Sequence, residues 1–294
     1  MSLDRVLIVG AGGMLGRDCV EVLGEAWTVI PLTRAELDLR DGRGVMDRVL
    51  GLRPSVIVNC AGYTQVDRCE QEREEARRVN ALGPGNLARA ASATRAFLVH
   101  ISTDYVFDGT KPLSEAYVED DAPAPLNVYG RTKWEGERVV RSYSREHLIV
   151  RTAWLYGASG RSFPKAILAQ ALQGKALRVV KDQFGSPTWT NTLARQILLL
   201  IGHRVKGTVH ATSQGHCSWY EFARAFLEQI GVCAEITPCS TQDYPRPAVR
   251  PCNSVLANRR LKELGLDMMP HWKEDLRRFV ERHGPDLCRE AVAA

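Results

Sequence analysis

Four glycines in seven residues, Gly10-Ala11-Gly12-Gly13-Met14-Leu15-Gly16, stand directly between an apolar run and a stretch of helical spacing. The run before them, residues 5–10 (RVLIVG), is continuous and ends in Gly, the pattern of a strand buried on both faces. After them Met14, Leu15, Cys19, Val22 and Leu23 recur with the period of a helix. A bare strand-to-helix turn rarely needs so many glycines. Glycine does, however, let a backbone approach a pyrophosphate lying on a helix N-terminus. The spacing is not G-x-G-x-x-G, which would require Gly where Leu15 stands. It is G-x-x-G-x-x-G over Gly10, Gly13 and Gly16, with a dinucleotide site as the expectation.

The rest of the first half repeats the alternation. Strand signals occur at 28–32 (TVIPL), 55–60 (SVIVNC), 97–103 (FLVHIST) and 147–152 (HLIVRT). Helix-like stretches fall near 42–52 and 127–145, and 72–94 predicts one long helix with a wobble at Gly83-Pro84-Gly85. Such alternation implies an α/β fold, a Rossmann-like doubly wound parallel sheet with its ligand crevice at the carboxyl ends of the strands. After residue 155 the alternation loosens, and helices are expected at 163–173, 190–202, 218–230 and 271–283. Residues 1–155 are therefore expected to bind the cofactor. Residues 156–294 are expected to form mainly a smaller substrate-binding lobe, with some segments returning to the first.

A chain of 294 residues with 45% hydrophobic and 25% charged residues buries about three quarters of its unfolded surface, which excludes a disulfide mini-protein and a disordered tail. The net charge of +5 is scattered and mild: it suits a phosphate-bearing substrate and suggests no nucleic acid. Arg5 and the run to Gly16 mimic a signal peptide, but the run is broken by glycines and closed by Arg17 and Asp18. No stretch of eighteen apolar residues follows, so no membrane span is expected. None of the eight cysteines forms a C-x-x-C pair, which argues against zinc and for a reducing, cytoplasmic setting.

At the end of the second strand an acid would take the ribose 2′-hydroxyl of NAD, whereas this chain has Thr33-Arg34. Arg34 can accept a 2′-phosphate, so NADPH is expected over NADH, with NADH left open. Further on, Tyr129 and Lys133 are spaced i, i+4 and share a helix face. A phenol titrates near ~10, and the neighbouring ammonium is expected to favour its phenolate. Ser102-Thr103-Asp104 ends a strand and brings a hydroxyl that can bond a substrate carbonyl oxygen. Alone, Y-x-x-x-K is weak; behind a glycine loop and beside that strand end, the three features together are a strong signal.

These features, with Asn59-Cys60-Ala61-Gly62, resemble the extended short-chain dehydrogenase/reductase superfamily. Ser102–Gly109 (STDYVFDG), Asp182–Thr188 (DQFGSPT) and Arg250–Ser254 (RPCNS) resemble, within it, the dTDP-4-dehydrorhamnose reductase family. That resemblance spans Val6 to the 250s. It implies reduction of the C4 ketone of dTDP-4-dehydro-L-rhamnose, with Tyr129 as proton donor, Lys133 also on the nicotinamide ribose and Thr103 on the ketone. It further implies Gly13, Met14 and Leu15 at the pyrophosphate, Asp38 and Leu39 at the adenine, and Ala61, Gly62 and Tyr63 at ribose and phosphate. Thr103, Asp104 and Trp154 would touch the sugar nucleotide, and Phe184 and Arg250 its base and diphosphate. Taken alone, Trp154 is a core aromatic. Many members carry Ala-Ala before His or Tyr where this chain has Ala61-Gly62-Tyr63. Some bind Mg2+, often at a dimer contact; no carboxylate cluster here identifies that metal, and a homodimer stays open. The competing readings are another nucleotide-sugar epimerase or reductase, and a non-catalytic NADP-binding regulatory subunit.

Overall fold

The computed structural model describes residues 5–293 of the chain, so the outer ends of the two expected lobes, residues 1–4 and 294, lie outside the described residues. The first half runs β1 (Arg5–Val9), α1 (Met14–Gly24), β2 (Thr28–Leu32), α2 (Gly42–Leu52), β3 (Val56–Asn59), α3 (Val66–Gln71) and α4 (Arg73–Arg77). It continues with α5 (Gly83–Thr94), β4 (Phe97–Thr103), α6 (Val128–Tyr143) and β5 (His147–Thr152). The second half adds β6 (Leu155–Tyr156), α7 (Phe163–Leu172), β7 (Leu177–Val180), β8 (Phe184–Gly185), β9 (Thr188–Trp189) and α8 (Thr190–Gly202). It ends with β10 (Gly207–His210), β11 (Cys217–Ser218), α9 (Trp219–Ile230), β12 (Ile236–Cys239), α10 (Arg259–Glu263) and α11 (Trp272–Ala293).

Six strands form one parallel sheet in the order β10-β5-β4-β3-β1-β2. Successive side chains of a strand face opposite ways, so each strand feeds two apolar layers. Val6 and Ile8 pack with Leu23 of α1 and Leu193 of α8 on one face. Leu7, Ile57 and Leu98 pack with Val45, Leu87 and Val140 of α2, α5 and α6 on the other. This is the doubly wound arrangement expected from the alternation. The chain grows outward from β1 first to β2 and then, on the other side, to β3, which opens a crevice above the carboxyl end of β1. The glycine loop lies there. From the second half, β10 pairs with β5 and α8 joins the α1 layer. Phe222, Phe226, Trp272 and Phe279 build a separate core around α9 and α11.

The expected long helix over 72–94 is not continuous. It breaks at Glu72 and resumes as α4; a π-helical turn then occupies Arg78–Leu82 before α5. Pro84 has no N–H for the Asn80 carbonyl, and that carbonyl instead faces Gly136 of α6, where a Cβ would lie 2.2 Å away. The disturbance expected at Gly83-Pro84-Gly85 thus falls one turn earlier. The last helix also runs past 283 to Ala293, with Leu287 buried beyond the apolar spacing that suggested it.

A buried carboxylate ties α11 to the rest. Asp275 accepts from Trp189 N (3.3 Å), Thr192 Oγ1 (2.5 Å) and Ser213 Oγ (3.0 Å). Asp275→Ala would strand three donors, each worth about 1 kcal/mol net. Stability should fall by about 2–4 kcal/mol in urea unfolding; a loss under about 0.5 kcal/mol would show that water replaces the carboxylate.

Candidate active site

The glycines form the floor of the crevice because nothing larger fits. A Cβ on Gly16 would sit 2.1 Å from the Gly10 carbonyl oxygen, and one on Gly10 2.7 Å from the Ala61 nitrogen. Gly10 also has φ +79°, in the left-handed region. Gly13 caps α1 without a side-chain hydrogen bond, which leaves the helix's first N–H groups open towards the crevice.

Two cavities meet at Gly13, Cys60, Ala61 and Gly62. The first, about 290 Å³, is walled by Thr33, Arg34, Leu37, Asp38, Leu39, Tyr63 and Val79. The acid at position 36 is not a wall residue: the Glu36 carboxylate is engaged by Thr33, accepting from its N and Oγ1, each at 2.8 Å. Arg40 grips Asp38 through Nε at 2.9 and 3.0 Å and pulls its carboxyl down to about 2. Arg34 is mostly exposed and lies 3.5 Å from Glu75, which also takes Arg40 at 2.7 Å. A phosphate at Arg34 must therefore compete with Glu75.

Asn80 belongs to this region and was not foreseen. The π turn aims its side chain at the segment after β3, where it accepts from Tyr63 N (2.8 Å) and donates to Tyr63 O (3.0 Å) and Thr132 Oγ1 (3.2 Å). Gly83-Pro84-Gly85 was the available signal, since it marks where the helix cannot be regular.

The second cavity, about 450 Å³, is walled by Met14, Leu15, the 101–105 segment, Tyr129, Lys133, Trp154 and Trp219. Asn127 caps α6 by accepting from Gly130 N at 2.8 Å, and the helix then carries Tyr129 and Lys133 against the end of β4. The Tyr129 hydroxyl lies beside the Thr103 side chain. Lys133 is buried and donates to the Ile101 carbonyl at 2.6 Å.

The electrostatics correct one expectation. Burial, only partly offset by the Thr103 side chain, pushes the Tyr129 phenol above its ordinary value. The ammonium is turned to a backbone carbonyl and does not make the phenolate. Burial pulls Lys133 itself down to about 8, against the attraction of Glu137. The phenol thus stays protonated, the state an acid needs.

Thr103 Oγ1 donates to Asp104 Oδ1 at 2.9 Å and accepts from Tyr105 N at 3.2 Å. Burial pushes Asp104 up to about 6, opposed by the Ser254 and Thr103 hydroxyls beside it. Its Oδ2 has no hydrogen-bond partner, because the Ser254 hydroxyl turns to the Phe184 carbonyl (3.3 Å). A buried acceptor is left at the cavity wall.

Trp154 lines this cavity rather than the core. It has φ +47°, stacks on Trp219 at 3.6 Å, and lies so close to Gly185 that a Cβ there would be 2.4 Å from its indole. Trp219, the first residue of α9, had no local signal in the sequence. Two expected contacts lie behind the residues that wall these two cavities. Phe184 is held by backbone bonds to Cys252 and Ser254, with its ring 6.5 Å from His216. Arg250 is clamped on Asp67 at 2.7 and 2.9 Å. Neither is a wall residue of these two cavities, although Arg250 also interacts with Tyr105, which is one. Among the described residues no group of three or more His, Cys, Asp or Glu is placed to hold a metal ion.

Known proteins share this sequence and arrangement. The model of the RmlD substrate binding domain matches residues 4–284. A dTDP-4-dehydrorhamnose reductase of Mycolicibacterium smegmatis is 42% identical over 281 residues, 94% of this chain and 85% of that protein. A dTDP-4-keto-6-deoxy-D-glucose reductase of Streptomyces niveus is 39% identical, covering 92% of this chain and 94% of that one. The crystal structure of dTDP-4-dehydrorhamnose reductase from Bacillus anthracis in complex with NADP superposes with a TM-score of 0.93 at 38% identity, over 95% of this chain and 99% of that one. A match that runs from β1 into α11 leaves one conclusion: this chain belongs to the RmlD substrate binding domain family.

Proposed function

We propose that this chain is an NADPH-dependent reductase that converts dTDP-4-dehydro-L-rhamnose into dTDP-L-rhamnose. The observation that carries this reading is the placement of Tyr129, Thr103 and Lys133 on one wall of a crevice continuous with the glycine loop. The crevice fits a dinucleotide. Gly10 and Gly16 clear its floor, α1 offers open N–H groups, and the 2′-position has Arg34 beside it with Glu36 engaged by Thr33. Leu37, Asp38 and Leu39 would hold the adenine, Gly13, Met14 and Leu15 the pyrophosphate, and Ala61, Gly62 and Tyr63 the ribose and phosphate beyond it.

When bound, the reduced nicotinamide supplies the hydride. The residues supply the rest. Thr103 orients the C4 carbonyl oxygen, Asp104 Oδ2 accepts a sugar hydroxyl, and Trp154 covers the ring. Tyr129 donates its proton to the oxygen as it becomes an alkoxide, a far stronger base than a phenolate. The Lys133 ammonium, one turn away, stabilises the phenolate left behind and holds the ribose. Residues 1–155 in this reading serve the cofactor, and residues 156–294 mainly the substrate. Its setting is the cytoplasm, where the eight free cysteines stay reduced. No described helix is long and apolar enough to cross a membrane.

The test is NADPH oxidation with dTDP-4-dehydro-L-rhamnose, beside dTDP-4-keto-6-deoxy-D-glucose. Stoichiometric oxidation with the first, and a lower kcat/KM with the second, is expected. Interconversion of sugars without net loss of NADPH would mean an epimerase instead. For the cofactor, Arg34→Ala should cut kcat/KM for NADPH about tenfold and spare NADH, since only one of them carries the 2′-phosphate. The gap between cofactors should narrow as salt rises. Equal losses with both would assign Arg34 to the adenine or the fold.

A further inference from the structure

Three consecutive residues of β4 each meet a side chain of α6, and the three helix positions are one turn apart. Thr103 lies beside Tyr129, the Ile101 carbonyl takes Lys133 at 2.6 Å, and Ser102 Oγ donates to Glu137 Oε1 at 2.6 Å. The first two contacts involve the reacting groups. The third lies one turn deeper, where Glu137 has no exposed surface.

Glu137 is held from three sides. Arg151 of β5, itself buried, donates Nε to Oε1 (2.9 Å) and a terminal nitrogen to Oε2 (2.8 Å). Arg141, a turn further along α6, reaches Oε2 at 2.9 Å. The carboxylate therefore joins β4, β5 and α6 at one point. A buried carboxylate satisfied on both oxygens defines a single geometry, because any shift of the helix breaks charge-assisted bonds in a medium that cannot replace them.

We propose that Glu137, braced by Ser102 and Arg151, is a positioning residue for the reduction: it sets the depth of α6 against the end of β4 and carries the countercharge of the Lys133 ammonium. The proposal rests on the reductase reading above. The charged groups around Glu137 are Lys133 and Arg141 on its own helix and Arg151 on β5; His100 of β4 faces Lys133 and Arg141. Beyond Arg151 lie His210, 3.5 Å from it, and Glu119, which accepts from His210 N at 3.0 Å. Burial and neighbouring cations keep His100 and His210 uncharged. Glu137 is thus the carboxylate set among three cations, and Lys133 is the one of the three that titrates near neutral pH.

Two variants separate position from charge. Ser102→Ala cuts the β4 brace and leaves every charge in place. Its kcat should fall about tenfold, as a slightly misplaced donor costs rate, while KM for NADPH and the alkaline limb of kcat stay unchanged. Glu137→Gln keeps the shape and removes the charge. The alkaline limb of its pH–kcat profile should then move to lower pH by about one unit, because the ammonium has lost its carboxylate. Ser102→Ala with kcat within twofold of the parent would overturn the proposal. So would an unmoved limb in Glu137→Gln, or a kcat loss matched by an equal rise in KM for NADPH. If Glu137→Gln does not fold, the Ser102 variant decides alone. The parent assayed in parallel separates the two ideas: no ketone-dependent NADPH oxidation in the parent sinks the reductase reading, whereas a turning-over parent beside an unaffected Ser102→Ala sinks only the brace.

Discussion

Replacing Tyr129 with Phe should lower kcat by about 10²–10⁴-fold, the contribution a positioned general acid makes, while NADPH binding stays within a few fold. The ring keeps its edge contact with Tyr105, whose centroid is 5.9 Å away, so only the hydroxyl is lost. Thr103 could still turn its hydroxyl from Asp104 to the carbonyl, but no proton would meet the developing alkoxide. Steady-state kinetics with a separate NADPH titration make the test. A Phe variant with more than about a third of parental turnover would show that another group, or water, is the acid.

Lys133→Met should lower kcat/KM about 10²-fold or more, through both rate and NADPH affinity, because the proposed mechanism has the ammonium hold the ribose and face the phenolate. Its effect on stability should be small. The buried lysine has a folded pKa near 8, below its ordinary value, so burying its charge costs stability. That cost is complete below about pH 8 and fades as pH rises towards the unfolded value. Met removes the cost at pH 7, which offsets the hydrogen bond lost at the Ile101 carbonyl. The thermal midpoint should therefore hold while activity collapses. In the parent, kcat/KM should decline as pH rises through about 8, where the free enzyme loses the ammonium. A flat profile from pH 7 to 9, or a Met variant of normal activity, would remove Lys133 from the mechanism.

The fold was legible because its signals are local. Apolar runs of strand length, helical spacing after each and the glycines at 10–16 depend only on neighbours along the chain, and β1 to β5 appear where those patterns put them. The long helix at 72–94 is broken by a residue of its own, Pro84, but what the break serves is decided by distant segments. Its register is interrupted so that the Asn80 side chain can reach Tyr63 and Gly136 can approach the Asn80 carbonyl.

For the site, sequence alone picked out the residues to which the proposed reduction assigns chemistry: the glycine loop, the strand-end Thr103, and Tyr129 with Lys133 one turn apart. Spacing decides such matters, and spacing is written in the chain. Tertiary structure alone decided what those groups are like. The phenol is raised rather than ionised, and Lys133 is bonded to a carbonyl 32 residues away. Trp219 backs Trp154, Glu137 sits buried on Arg151, and Arg250 is spent on Asp67, 183 residues distant. The physical reason is desolvation. The charge state and partner of a polar group depend on how much water is removed and which distant segment supplies the replacement bond, and neither is set until the sheet and its helices close around it.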